Sequence, residues 1–91
     1  MVNYKKPLEI IDQFVAEHRT YLERGYENNC YIVSGPRNPR TGGVIISQLK
    51  DRAQLEALIK ADPFYLNDVA DFEIIEFMPV KYHKDFAFVA N

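Results

Sequence analysis

The apolar positions of this chain change their period several times, and each change marks an element. From Pro7 onward, Leu8, Ile11, Phe14, Val15, His18, Tyr21 and Leu22 recur at three- and four-residue steps, which is one face of a helix. Glu9, Asp12, Glu17, Arg19, Glu23 and Arg24 fall largely on the other face. Pro7 suits the first helical position, where its missing N–H is not needed. Acidic residues early and Arg19 and Arg24 later match the helix dipole. Gly25 weakens the end, and Asn28-Asn29 supplies a left-handed stop. Ahead of this helix, Met1 to Lys5 leave room for only a short strand, with Val2 and Tyr4 on one side.

The next segments shift to strand chemistry. Cys30 to Ser34 is rich in β-formers and closes at Gly35-Pro36. Pro36 to Gly43 reads as loop throughout, and Val44 to Leu49 is the next strand, so the two strands form a hairpin with a long connection. Asp51 caps a second helix, with Gln54 placed as in a capping box and Leu55, Leu58 and Ile59 as its stripe. Asp62-Pro63 opens a further short helix, Asp62 as N-cap and Pro63 at the first position, and Asn67-Asp68 ends it. Phe72 to Val80 reads as a long last strand, with Phe72, Ile74 and Met78 on one face and Ile75, Phe77 and Pro79 on the other.

The order is β-α-β-β-α-β, an α+β chain in the split, ferredoxin-like arrangement. Right-handed crossovers place both helices on one face of a four-stranded antiparallel sheet. The last strand is apolar on both faces, and Val44 to Ile46 is apolar without a break. A sheet with one wet face alternates more cleanly than this. The second face is therefore expected to be buried by the same face of a second copy, a homodimer. The alternative is a monomer whose open face is covered by the tail, Tyr82 to Asn91.

Composition narrows the class. Ninety-one residues make one domain, 1–91, and a single cysteine excludes an intramolecular disulfide. The net charge of −2 argues against nucleic acid as a partner. No apolar run approaches the ~20 residues of a membrane span. The first residues lack the apolar core of a secretory signal, so a cytoplasmic setting is expected. No P-loop, GxGxxG, GxSxG, HExxH or EF-hand pattern is present, and no cofactor is called for.

The candidate chemistry is sparse. His18 sits on the apolar stripe, where a ring is either a satisfied core histidine or a catalyst. His83 lies in the polar stretch Lys81 to Asp85 and is expected in solvent. Asp62 has a sufficient role as a cap. His18 and Asp62 together are two ligands, short of the three or four zinc takes from protein, so no metal is expected. Arg37 and Arg40 beside Gly42 and Gly43 are able to hold an anion, although a solvated loop is the simpler reading. Taken by themselves, these residues leave the function open.

Four short motifs in order add a family. His18-Arg19-x-x-Leu22, Val33-Ser34-Gly35-Pro36, Asp62-Pro63-Phe64 and Phe72-Glu73-Ile74-Ile75-Glu76-Phe77 together resemble the YciI-like (YCII-related) family, over about Tyr4 to Lys84. That family is similar in fold to the dimeric α/β-barrel proteins, in which two ferredoxin-like sheets pack face to face. The resemblance implies a catalytic pair, here His18 and Asp62, at a pocket between helices and sheet. A carboxylate fixes the tautomer and orientation of an imidazole that takes or gives a proton near neutral pH. Ser34, Arg19 and Phe64 lie in or beside the motifs and are expected near the pocket as substrate-binding residues. Arg19 points about 100° away from His18 on the helix, and the surface or the dimer is its other expected place. One relative looks like a dehydrochlorinase of a chlorinated hydroxyhydroquinone, and the wider group includes lactone isomerases and small monooxygenases.

The expectation is a small-molecule enzyme of lyase, isomerase or hydrolase-like type. The alternative is a non-catalytic small-ligand-binding or structural homodimer with His18 in the core and Asp62 as a cap. One departure from the family stands out. The first strand, expected at the centre of the sheet, is about five residues here and shorter than in similar sequences. The tail Phe86-Ala87-Phe88-Val89 is one candidate to fill the space.

Overall fold

Alternating apolar residues at Val2 and Tyr4 are enough to place a strand at the centre of the sheet. In the computed structural model, which describes residues 1–89, β1 (Val2–Tyr4), β2 (Tyr31–Pro36), β3 (Gly42–Ser47) and β4 (Ala70–Phe72) form one sheet. All pairings are antiparallel and the order is β2-β3-β1-β4, the ferredoxin-like order. The short central strand is completed by its flanks. Lys5 donates to the Val69 carbonyl and Glu73 donates to the Met1 carbonyl. The tail adds no strand: Lys84–Val89 forms a 3₁₀ segment. Ala90 and Asn91, the end of the tail that the monomeric alternative invokes, lie outside the described residues.

The first helix is not continuous. It comprises α1 (Leu8–Ile11), a 3₁₀ turn at Asp12–Phe14, and α2 (Val15–Glu27), with the break at Phe14 (φ −112°, ψ 0°). α2 runs through Gly25 and ends at Asn28. Asn29 then adopts φ 58°. Asn29 and Cys30 donate back to the Tyr26 and Gly25 carbonyls, a paired closure that satisfies the last open carbonyls of the helix. α3 (Arg52–Ile59) starts at Asp51, whose carboxylate accepts from the Ala53 N–H. No return bond from Gln54 completes a capping box among the described residues. α4 (Pro63–Leu66) repeats the closure of α2. Asp68 is left-handed at φ 53°, and Asp68 and Val69 donate to the Tyr65 and Phe64 carbonyls.

Buried Val2, Ile11, Phe64, Val69 and Ala70 form the core, with Tyr4, Phe14, Val15, Ile45 and Phe72 packed around them. α2 packs on β2 and on α4. Gly25 lies in the last turn of α2, where a Cβ would come within 2.2 Å of the Tyr31 ring. Gly42 and Gly43 belong to β3, not to the loop, and pair with Asn3 and Val2. A Cβ on Gly42 would meet the Val2 carbonyl at 1.9 Å, so this strand contact requires glycine.

The expectation for the last strand is corrected. The long last strand from Phe72 to Val80 does not form. β4 ends at Phe72, its pairing with β1 reaches Glu73 opposite Met1, and Ile74 to Val80 form no strand. Ile75, Phe77, Met78 and Val80 are exposed as a result. β2 carries a register shift between Tyr31 and Val33. It reverses the facing of the residues that follow, so Val33 opposes Ile46 on the open face while Ser34 turns towards α2. Val33, Val44 and Ile46 leave an apolar patch on that open face. Among the described residues no helix is long and apolar enough to cross a membrane.

Candidate functional site

A cleft of about 480 Å³ opens between α2 and the sheet. One wall is a single stripe of α2: Val15, His18, Arg19, Leu22, Glu23 and Tyr26, at steps of three and four. The opposite wall comes from β1, β2 and β3, with Tyr4, Ser34 and Ile45 facing in, and Phe64 lines the inner end. His18, Arg19, Ser34 and Phe64 thus border one cleft, and Asp62 lies directly behind it.

The His18 Nδ1 and Asp62 Oδ1 are 2.9 Å apart. Asp62 is wholly buried, and the same Oδ1 accepts the Phe64 N–H at 2.9 Å as the cap of α4. With Oδ1 already accepting from the backbone, the carboxylate is the acceptor and the ring Nδ1–H the donor. Nε2 is then the basic nitrogen, and no protein group among the described residues bonds it. Oδ2 of Asp62 is buried without a hydrogen-bond partner among the described residues, so Oδ1 carries both hydrogen bonds of this carboxylate. The imidazole lies flat on Phe64, with centroids 4.0 Å apart and planes 8° apart. Phe64 is only 2% exposed and acts as the backing of the His18 ring.

Four more hydroxyls join α2 to β2 in two pairs. Tyr26 and Ser34 are hydrogen-bonded across the cleft wall. Deeper, Tyr21 donates its one proton to the Leu58 carbonyl, so Tyr31 must donate to the Tyr21 oxygen. Burial pushes both tyrosines above the usual phenol range, Tyr21 most strongly. They remain neutral and hold α2 to β2 and α3.

Tyr26, Tyr4 and Asp12 border the cleft and were not picked out in the sequence, and Arg40, named there only as a loop residue able to hold an anion, borders it as well. Tyr26 was within reach, being eight residues after His18 on the same stripe. Tyr4, Asp12 and Arg40 meet only through the tertiary fold. His83 is a surface residue paired with Asp85, away from the cleft. A larger depression of about 700 Å³ beside α3 and α4 contains neither histidine.

Residues 1–78 match the family model of the YCII-related domain. No curated protein and no solved structure matches the chain.

Proposed function

The chain belongs to the YCII-related domain family, and on that premise we propose that His18 and Asp62 form a proton-transfer pair acting on a small molecule held in the cleft. The observation that carries this reading is the 2.9 Å contact between His18 Nδ1 and the fully buried Asp62 Oδ1 at the cleft's edge. Nε2 takes a proton from an acidic C–H or O–H of the substrate, and the bonding pair stays on the substrate as an enolate or phenolate. Asp62 keeps Nδ1–H in place and stabilises the imidazolium formed. Return of the proton to a different atom gives an isomerisation. Loss of a leaving group from the adjacent carbon gives an elimination. Ser34 and Arg19 contact the substrate, and Phe64 holds the ring that reacts. A second copy covers the open face at Val33, Val44 and Ile46 and makes the unit a homodimer.

The test is proton exchange followed by NMR in D₂O, with a panel of small keto acids, lactones and hydroxylated aromatic acids. The wild type is expected to deuterate or convert at least one of them. His18→Gln, folded by circular dichroism, is expected to lose about 100-fold or more of that rate. Wild-type rates in His18→Gln would refute the pair, as would a panel left untouched by the wild type. The second outcome favours a non-catalytic ligand-binding dimer, a reading that the capping bond from Phe64 to Asp62 makes self-sufficient.

A further inference from the structure

Two arginines sit in the β2–β3 loop, and the fold uses them differently. The Arg37 guanidinium is committed to the frame: it donates to the Val2 carbonyl at 2.8 Å, the Gly43 carbonyl at 3.4 Å and the Thr41 hydroxyl at 3.3 Å. Arg40 reaches the cleft instead. Its Nη2 donates to Asp12 Oδ1 at 2.6 Å, and the Tyr4 hydroxyl lies beside it as a second polar neighbour. Its guanidinium lies 5.9 Å from the centroid of the Tyr4 ring.

The Tyr4 ring meets Phe64 edge-on at 6.0 Å, and Phe64 lies flat against His18. An unbroken run of rings therefore leads from the Arg40 guanidinium to the His18 imidazole along one side of the cleft. A cation at one end, an apolar floor between and a basic nitrogen at the other end match a definite ligand shape. Arginine prefers a two-point grip on a carboxylate, which Asp12 does not supply. The Asp12–Arg40 pair is partly exposed, and such pairs are weakly held.

We propose that Arg40 is the anion-binding residue of the cleft, and that the ligand is a small carboxylate with an apolar body. The carboxylate takes Arg40 from Asp12, and the body lies along Tyr4 towards His18. Asp12 holds Arg40 in position while the cleft is empty and competes with the ligand for it. This rests on the cleft being the ligand site, but not on His18 acting as a base.

The probe is benzoate, with benzamide as its neutral counterpart, titrated at low ionic strength into ¹⁵N-labelled protein and followed by NMR. Benzoate is expected to bind the wild type saturably and shift the His18 and Tyr4 signals, with benzamide binding far more weakly. Arg40→Gln, at unchanged melting temperature, is expected to weaken benzoate by about tenfold or more. Asp12→Asn is expected to tighten it several-fold, and Arg19→Gln to change it less than Arg40→Gln does. Absence of saturable benzoate binding overturns the proposal. So does equal affinity for benzamide, wild-type affinity in Arg40→Gln, an unchanged Asp12→Asn, or a larger loss in Arg19→Gln. Benzoate binding that persists in His18→Gln, in a protein without proton-exchange activity, removes the catalytic reading and leaves the carboxylate site standing.

Discussion

Asp62 meets two demands with one oxygen. Oδ1 accepts both the backbone N–H that starts α4 and the ring N–H of His18. Capping and imidazole orientation appeared in the sequence as competing explanations of the same aspartate, and the geometry makes them simultaneous. The tyrosine pair beneath gives the residue scale its prediction. Tyr21 and Tyr31 have raised pKa values because burial disfavours the phenolate. Folded protein therefore holds these protons where the unfolded chain, with phenols near 10, would release them. The stabilisation is complete below about pH 10 and is lost as pH rises towards the folded values. Urea midpoints measured between pH 8 and 11.5 are expected to fall above pH 10, and less steeply in Tyr31→Phe. A slope identical in that variant would assign the fall to other groups. His18 and Asp62 were legible because each motif is local in sequence. Ser34 was named, but its direction was not legible, because it depends on the bulge at Tyr31/Val33, a feature of two strands together.

At the scale of elements, start and stop signals were the most readable features. Asp51 and Asp62 cap their helices, and Asn29 and Asp68 close theirs in left-handed conformations, all by bonds local to a few residues. Gly25 lies in the last turn of α2, where the sequence put the helix end, but its packing role was not legible because it depends on a ring from β2. Gly25→Ala improves intrinsic helix propensity by about 1 kcal/mol. The clash with a Tyr31 ring anchored by hydrogen bonds outweighs that gain, and a net loss of about 1–3 kcal/mol is expected from urea unfolding. A raised midpoint would mean that the ring moves aside freely. The last strand failed for a complementary reason. Alternation from Phe72 to Val80 records which side chains favour burial, but a strand also needs neighbouring backbone, and no described strand pairs with Ile74 to Val80.

At the scale of the molecule, the open face divides in two. Asn3 and Asp71 make the β1–β4 half polar, while Val33, Val44 and Ile46 make the β2–β3 half apolar. That apolar half is a patch of the kind that marks an interaction surface, and Ile75, Phe77, Met78 and Val80 are exposed separately, after β4. Sedimentation is expected to give the wild type twice the 10.6 kDa chain mass, and Ile46→Lys the single-chain mass with its helices intact. A wild type sedimenting at 10.6 kDa would remove the dimer.

The pairing of β1 with β4 also has a consequence in time. Met1 and Glu73 are 72 positions apart, yet they are neighbours in the middle of the sheet. Contacts of such separation close large loops and form slowly. β1 can pair with β3 as soon as Gly42 and Gly43 are in reach, but it gains its second neighbour only when β4 docks. The cleft wall that carries Tyr4 is thus fixed on both sides only by a contact between distant parts of the sequence, and its closure is expected among the slower steps of folding.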